Sequence, residues 1–128
     1  MNLSIGFDII EVERIESAVL RWGETFEKRI FTPGELDYCG GGPARMIRLA
    51  ARFAAKEALY KALGGGFGWQ DAEVDSRPGT PPVLILHDKA QTRAEEIGAV
   101  DISLSISHTK CTAAAVVVAL KKQGSERG

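Results

Sequence analysis

Apolar and polar positions alternate along some stretches of this chain and recur at helical spacing along others. Residues 3–8 alternate, which predicts a strand that ends at Asp8. Residues 102–108 also alternate, with three serines on one face. The nearly unbroken apolar run over 112–120 predicts a strand buried on both faces. These last two strands are expected to form a hairpin.

Helical periodicity and turn residues define the elements between these strands. Thr32 and Glu35 form a capping-box pattern that opens a helix at Pro33. The other predicted elements are helices over 11–22, 24–30 and 88–97, the last Asp-capped and ended by Gly98, a long helix ending near residue 63, and strands over 72–75 and 82–86. This order predicts an α+β fold with a long central helix packed on a mainly antiparallel sheet. We expect one domain over 1–120 and a frayed tail over 121–128.

The long helix is the clearest element, because strong helix formers fill it and Gly64, Gly65 and Gly66 stop it. On a helical wheel Glu57 falls in the middle of an apolar arc that should be buried. The apolar members of the arc are Met46, Leu49, Ala50, Phe53 and Tyr60. Burying an unpaired carboxylate costs several kcal/mol, so Glu57 should meet a cation, hydrogen bonds or a water-filled cleft.

Ordinary explanations exist for each of these features. Glu57 and Lys61, one turn apart, have the spacing of a common surface ion pair. Three glycines after a helix usually form a cap and a flexible turn. They also follow the helix here, whereas a phosphate-binding loop precedes one, so the dipole would repel an anion. A phosphate at this position would therefore need the positive charge of Lys61.

Asp8 and Glu57 are the acids best suited to chemistry. Two carboxylates are too few for Ca²⁺, but they suit Mg²⁺, which keeps waters and takes ligands from substrate phosphates. A turn or capping role remains the ordinary explanation for Asp8. His108 shares a strand face with apolar residues, so a core or interface histidine is its ordinary explanation.

Basic residues lie along one flank of the long helix and on the first helix. They are Arg45, Arg48, Arg52 and Lys56 on the long helix, and Arg14 and Arg21 on the first. Such a stripe is usually a solvated surface, and the second interpretation is contact with an acidic partner or a phosphate. The aromatic residues of a single-strand nucleic-acid platform are missing from it.

Composition narrows the classes further. The 16 basic and 17 acidic side chains give no overall bias towards nucleic acid. The apolar runs are too short to span a bilayer and the N-terminus lacks a basic signal-peptide region, so we expect a cytoplasmic protein without a membrane partner. Two cysteines and two histidines at these spacings predict neither a structural disulfide nor a zinc site.

Several ordered motifs resemble those of the holo-[acyl-carrier-protein] synthase family, the short single-domain 4'-phosphopantetheinyl transferases. The motifs are GFDIIE over 6–11 with Arg14 and Ile15, Phe31-Thr32 with Glu35, RFAAKEA over 52–58 with KALG over 61–64, Trp69 with Asp71, Glu73 and Val74, and SISHT over 105–109. The resemblance implies Mg²⁺-dependent transfer of 4'-phosphopantetheine from coenzyme A to a serine of an apo-acyl carrier protein. It also implies release of adenosine 3',5'-bisphosphate, a role in fatty acid biosynthesis, and a homotrimer with active sites shared between subunits.

The resemblance also assigns residue roles. Asp8 and Glu57 match metal ligands, and Lys61 with Gly64, Gly65 and Gly66 matches the diphosphate side of coenzyme A. The nucleotide and phosphate pocket matches Arg52, Phe53, Pro81, His108 and Thr109. Arg14 and Arg21, with Arg45 as a weaker match, correspond to carrier-protein contacts. Glu57, Lys61 and His108 are the catalytic candidates, and either Glu57 or a metal-bound water would take the serine proton.

The chain departs from the family pattern at Gly65, Thr80 and Thr112, where members often have Thr or Ser, a basic residue, and Tyr. Gly65 removes a hydroxyl and Thr80 a charge from the expected coenzyme A site. Two other classes stay open at this point. A non-enzymatic carrier-binding module would not need Asp8 or Glu57, and a different Mg²⁺-dependent phosphotransferase would not need the basic first helix.

Overall fold

A three-stranded antiparallel sheet with one long helix across it forms the centre of the structure, a computed structural model that describes residues 2–122. In chain order the elements are β1 Asn2–Glu11, α1 Val12–Trp22, α2 Glu24–Ile30, α3 Pro33–Cys39, α4 Arg45–Leu63, a 3-10 turn Trp69–Asp71, β2 Ala72–Asp75, β3 Val83–Leu86, α5 Asp88–Glu96, β4 Ala99–His108 and β5 Thr112–Lys121. The main sheet has the order β1-β5-β4, and β2 pairs with β3 in a separate antiparallel ribbon. The predicted α+β fold with a central helix is confirmed.

Strand β5 is the middle strand, and its two faces differ. Ala113, Ala115, Val117 and Ala119 are buried on the face towards α4. The opposite face is only half-buried, so the expected burial of this strand on both faces is wrong for the single chain. The same outer face continues on β1, where Leu3, Ile5, Phe7 and Ile9 are each between 55 and 61% exposed. One chain therefore leaves an apolar sheet face in contact with solvent.

Helix α4 lies close against the inner face of β1 because Gly6 has no side chain. A Cβ atom on Gly6 would overlap the carbonyl oxygen of Ala58. Next to this contact, the hydroxyl of Ser4 donates a hydrogen bond to the carbonyl oxygen of Ala62. Asp8 is two residues beyond Gly6, so alternation along the strand directs it to the same face. This close approach brings Asp8 to α4.

The buried side of α4 differs from the predicted arc. Leu49 and Ala50 are fully buried as expected, but Tyr60 is 46% exposed and Glu57 is half-buried. Small residues instead fill the most buried side: Ala51, Ala54, Ala55, Ala58 and Ala62. Small side chains let the helix pack closely on the sheet. The predicted arc was chosen mainly from large apolar residues and therefore pointed to a different side of the helix. The expectation that Glu57 faces the core is therefore wrong.

The charged flank of α4 is solvated only in part, because Arg48 is exposed whereas the two residues after it on the flank are buried. Lys56 is 2% exposed and Arg52 is 6% exposed. Lys56 Nζ pairs with Glu35 Oε1 at 2.7 Å, and Glu35 is itself completely buried. Acids are absent from the flank in sequence, but α2 and α3 supply them from elsewhere in the chain.

Glu35 also confirms the predicted capping box at the start of α3. Its Oε1 accepts from the backbone N–H of Thr32 at 2.8 Å, and the Thr32 hydroxyl accepts from the N–H of Glu35. Its Oε2 accepts from the N–H of Val74 in β2 at 2.7 Å. One carboxylate thus joins the start of α3 to α4 and to the small sheet.

Some predicted boundaries change. Strand β1 continues to Glu11, so Asp8 does not end the strand. Helix α5 begins after His87 without a side-chain cap, and Asp88 is its first residue, with φ of 44°. Lys121 belongs to β5, and the N–H of Lys122 bonds to the carbonyl of Gly98, where a frayed tail was expected. The remainder of that predicted tail, 123–128, lies outside the described residues.

Within residues 2–122, the helices are all too short or too polar to cross a membrane.

Candidate active site

Asp8, Glu57 and Lys61 meet where β1 crosses α4. Lys61 Nζ lies 3.1 Å from Asp8 Oδ1 and donates to the carbonyl oxygen of Phe7 at 3.0 Å. The Asp8 carboxylate is mostly buried and the Lys61 side chain is half-exposed. The structure therefore brings together these three residues from two distant parts of the chain.

The Glu57 carboxyl lies close enough to Asp8 for the two charges to interact. Its pKa is raised above the usual range, first by burial and then by repulsion from Asp8, while Lys61 acts in the opposite direction. Two carboxylates share one ammonium group at this point. Such a group of acids favours an additional cation, since a positive ion relieves the repulsion and keeps Glu57 ionised.

The donor set fits Mg²⁺ better than a fully caged ion. Across residues 2–122, histidine, cysteine, aspartate and glutamate side chains do not form any cluster of three or more that could hold a metal. An ion at this position would take Asp8 and Glu57 from the protein and its other ligands from water and substrate oxygens. Mg²⁺ accepts such a mixed set, whereas Ca²⁺ needs more protein oxygens.

A cleft of about 260 Å³ opens beside Glu57, and we call it the Glu57 cleft. It is lined by Lys56, Glu57, Tyr60, Phe67, Gly68, Trp69 and Ala72. Lys56 does not offer a free charge to this cleft. Its ammonium group, besides its contact with Glu35, donates to the carbonyl oxygens of Ile30 at 2.8 Å and Trp69 at 2.9 Å. The cleft therefore has aromatic walls, and Glu57 is its one carboxylate.

The three glycines after α4 turn the chain sharply at the end of this cleft. Gly64, Gly65 and Gly66 have φ values of 75°, 83° and 94°, a region that side chains disfavour. Arg93 of α5 packs against Gly64 and Gly66, and its Nε donates to the carbonyl oxygen of Leu63 at 2.8 Å. Arg93 was missed in the sequence, because nothing local connects α5 with the end of α4. It supplies the positive charge that a helix C-terminus favours.

A second pocket, also about 260 Å³, lies on another side of α4. We call it the Arg52 pocket, and its polar lining includes Tyr38, Arg48, Arg52, Arg77, Thr80 and His108. Arg77 was not selected from the sequence, and it places a cation beside Thr80, the position where the family pattern led us to expect a basic residue. The lining suits a phosphate, since it combines guanidinium groups with an imidazole.

Arg52 is buried with one donor unused. Its Nη1 donates to the carbonyl of Arg48 at 3.1 Å and its Nη2 to Ser76 Oγ at 2.6 Å, while its guanidinium lies 4.5 Å from the centre of the Tyr38 ring. The Nε atom is buried and has no hydrogen-bond partner among the described residues. An unsatisfied buried donor costs free energy, and this one is enclosed by protein, so it would reach an anion only if the Arg52 side chain moved.

The two sites do not meet within one chain. Asp8 pairs across the sheet with Ala115, and His108 pairs with Ala113, so β5 separates them. Two strand spacings amount to roughly 10 Å. Arg52 and Glu57 are five residues apart on α4, which corresponds to about 140° around the helix. The sequence-based site thus divides into a Glu57 cleft and an Arg52 pocket.

The remaining predicted pocket residues have mainly local roles in this chain. Phe53 stacks on Trp69 with ring centres 5.0 Å apart, which places it on the side of the Glu57 cleft. The Thr109 hydroxyl accepts from the N–H groups of Cys111 and Thr112 and so closes the β4–β5 turn. Pro81 itself does not line the Arg52 pocket, although both of its neighbours in sequence do.

The basic residues predicted to contact the carrier protein differ in exposure and in ion pairing. Arg14 and Arg21 are exposed on α1, and the Arg21 guanidinium lies 5.0 Å from the centre of the Trp22 ring. Arg45 instead pairs with Glu27, with Nη1 3.0 Å from Oε2. Among these three, only the two residues on α1 are without an ion pair to the part of the chain that the structure describes.

Comparisons with known proteins identify the class. The family model described as "4'-phosphopantetheinyl transferase superfamily" matches residues 4–117. The chain belongs to this family and is a transferase, and its resemblance to the holo-[acyl-carrier-protein] synthases within the family is confirmed.

Individual relatives agree over nearly the whole chain. A holo-[acyl-carrier-protein] synthase of Koribacter versatilis is 44% identical over 92% of this chain and 98% of its own length. The crystal structure of the synthase from Neisseria meningitidis aligns with a TM-score of 0.83 at 34% identity, over 92% of this chain and 98% of that one. The synthase from Helicobacter pylori in complex with coenzyme A aligns with a TM-score of 0.77 at 32% identity, over 91% and 99%.

Proposed function

We propose that this protein transfers 4'-phosphopantetheine from coenzyme A to a serine of an apo-acyl carrier protein. In this reaction the serine oxygen attacks the phosphorus next to the pantetheine arm, and the bond from that phosphorus to the bridging oxygen breaks. The products are holo-acyl carrier protein and adenosine 3',5'-bisphosphate, and the serine loses its proton. The observation that carries the proposal is the convergence of Asp8, Glu57 and Lys61 beside a cleft, in a chain of this family.

We infer that the diphosphate of coenzyme A binds beside the Glu57 cleft. Asp8 and Glu57 would hold Mg²⁺ there, and the ion would offset negative charge on the diphosphate oxygens. Lys61 is half-exposed next to both acids, so its ammonium group can turn to a phosphate oxygen while staying near Asp8. Phosphoryl transfer depends mainly on such positioning and charge neutralisation.

The other phosphate of coenzyme A is the 3'-phosphate, and we assign it to the Arg52 pocket. The exposed side chains of Arg77 and His108 offer donors there, and Arg77 also pairs with Asp75. Coenzyme A is longer than either pocket, so one molecule can reach both when they lie side by side. Within one chain α4 and β5 stand between them.

A homotrimer would resolve this separation. We propose that the Arg52 pocket of one subunit faces the Glu57 cleft of the next, so that one coenzyme A binds across the interface. The apolar outer face of the sheet supports this assembly, because four large side chains of β1 lie exposed in a single row. A patch of this kind on a small domain is commonly covered by another copy of the chain.

Helix α1 is the proposed docking surface for the carrier protein. Arg14 and Arg21 would meet acidic side chains of the carrier, and Leu20, 88% exposed, adds an apolar contact. Helix α1 directly follows β1, the strand that carries Asp8, so a carrier docked there has its serine near the diphosphate. The substrates further suggest a role in fatty acid biosynthesis and a cytoplasmic location.

One assay tests the activity directly. The protein is incubated with coenzyme A, Mg²⁺ and an apo-acyl carrier protein, and the carrier is weighed by mass spectrometry. We expect the carrier mass to rise by one phosphopantetheine group. An unchanged carrier, under conditions in which a known transferase modifies it, would contradict the proposed function.

A further inference from the structure

The hydroxyl of Tyr60 stands out among the groups around the Glu57 cleft. Tyr60 is three residues after Glu57 on α4, so both side chains project from the same edge of the helix. Its ring lies 5.3 Å from that of Phe67, centre to centre, and lines the cleft. The ring is held by packing, while its polar end reaches past the helix towards the glycine turn.

Tyr60 contacts the turn at Gly65. A Cβ atom on Gly65 would lie 3.2 Å from both the hydroxyl oxygen and Cζ of Tyr60. On Gly64 and Gly66 the corresponding atoms would face Arg93 instead. The turn is therefore enclosed between Tyr60 on the side of the cleft and Arg93 behind it. Gly65 leaves its side-chain position free, and the Tyr60 hydroxyl borders that position.

The Tyr60 hydroxyl has no internal hydrogen bond to explain its position. It bonds to none of the residues in the described range 2–122, and the side chain is 46% exposed. Lys61, the next residue on α4, pairs with Asp8 of β1. The hydroxyl is thus a free donor that borders the Glu57 cleft and belongs to the residue before Lys61, the residue that the proposed function assigns to the diphosphate.

We propose that Tyr60 is a further substrate-binding residue, whose hydroxyl donates a hydrogen bond to a diphosphate oxygen of coenzyme A. This inference rests on the proposed function of the site. Tyr60 supplements Lys61 with a neutral donor, and Gly65 leaves the space in which the hydroxyl and the phosphate meet. A hydrogen bond from a hydroxyl to a charged phosphate is stronger than one to a neutral acceptor.

The variant Tyr60→Phe tests this contact, because it keeps the ring packing and removes only the hydroxyl. We expect kcat/KM for coenzyme A to fall by about 10-fold, with the KM for the carrier protein and the melting temperature unchanged. Dephospho-coenzyme A, which lacks the 3'-phosphate but keeps the diphosphate, should show the same fold loss. His108→Gln is the matched comparison. Its loss of kcat/KM should be smaller with dephospho-coenzyme A than with coenzyme A, because the 3'-phosphate that His108 is proposed to bind is absent.

A second variant tests the role of the glycine. Gly65→Ala should displace the Tyr60 hydroxyl and so lower kcat/KM. The double variant with Tyr60→Phe should be no worse than the more impaired single variant, since both changes remove the same contact. Wild-type kcat/KM for the Tyr60→Phe variant with both forms of coenzyme A would overturn the inference and leave the proposed function standing. A wild-type protein that modifies no carrier would instead overturn the proposed function itself.

Discussion

Lys56 and Glu57 are neighbours on α4, yet the structure uses their charges in opposite ways. Lys56 is 2% exposed, and its three protons are all directed to acceptors of the chain, on Glu35, Ile30 and Trp69. Glu57 is half-buried beside a cleft, with another acid close by and a raised pKa. A charge whose partners are all internal serves the fold. A charge left in an unfavourable electrostatic environment at a cleft is available to a ligand.

The comparison also separates two kinds of ion pair. The Lys56–Glu35 pair joins three elements in the interior, and burial lowers the pKa of Lys56 while Glu35 opposes that change. The Lys61–Asp8 pair is half-open to water. We therefore expect variants of the first pair to affect stability and variants around the second to affect catalysis.

The largest expected effect is on stability, from Lys56→Met. Removing the ammonium group leaves Glu35 buried without its charge partner, so we expect the free energy of unfolding to fall by about 3–5 kcal/mol. Urea denaturation followed by circular dichroism measures this loss. Lys28→Met is the matched control, because Lys28 pairs with Glu24 on the exposed surface and should change stability by less than about 1 kcal/mol. Equal losses of unfolding free energy in both variants would contradict the stabilising role of the buried Lys56–Glu35 pair.

The next effect is on activity, from Glu57→Gln and Asp8→Asn. Each change removes a proposed Mg²⁺ ligand and charge from the site, so we expect kcat to fall by about 100- to 1000-fold. The melting temperature of Glu57→Gln without added Mg²⁺ should not fall, since repulsion between the two acids is relieved, whereas Asp8→Asn also loses its ion pair with Lys61. Glu24→Gln serves as the exposed control and should keep wild-type kcat. Near-normal activity of either variant at low Mg²⁺ would show that the metal assignment is wrong.

Gly6→Ala tests whether close packing positions Asp8. The added methyl group would overlap the Ala58 carbonyl, so β1 must move away from α4. We expect a loss of about 1–3 kcal/mol in unfolding free energy and, in the fraction that stays folded, a weaker dependence of the rate on Mg²⁺. A folded Gly6→Ala protein with unchanged stability and unchanged Mg²⁺ dependence would argue against this role.

A smaller effect concerns pH. The Glu57 carboxyl holds its proton more tightly in the folded protein than in the unfolded chain, because burial and Asp8 both raise its pKa. Ionising it as the pH rises through this pKa therefore costs stability in the absence of a divalent ion. Mg²⁺ competes with that proton, so its stabilising effect in thermal unfolding should weaken as the pH falls through the pKa of Glu57. The variant Glu57→Gln should lose this pH dependence, and a wild-type Mg²⁺ effect independent of pH would speak against the site.

Local patterns in the sequence predicted local structure well. The capping box at Thr32 and the β4–β5 hairpin depend on neighbouring residues, and both are present. The end of α4 at Gly64 was predicted for the same reason. The fate of Lys56 depends on Glu35, which reaches it across the fold, so helical spacing alone suggested a solvated flank.

The candidate site shows the same limit. The resemblance selected Asp8, Glu57 and Lys61, and the structure brings them together. It also selected His108, which one chain keeps on the other side of β5. No periodicity in a single sequence distinguishes residues that share a site within one chain from residues that share it between copies. The contacts of Tyr60 with Gly65 were equally invisible, because they depend on the shape of the turn.

The central claim is that the Glu57 cleft of one subunit and the Arg52 pocket of another form one active site. Subunits carrying Glu57→Gln can be co-expressed, under separate affinity tags, with subunits carrying His108→Gln and Arg77→Gln. Each variant alone should have little activity. In trimers purified through both tags, one of the three interfaces combines two intact halves, so we predict about one third of the wild-type activity. Mixed oligomers no more active than the two parents would contradict a shared site.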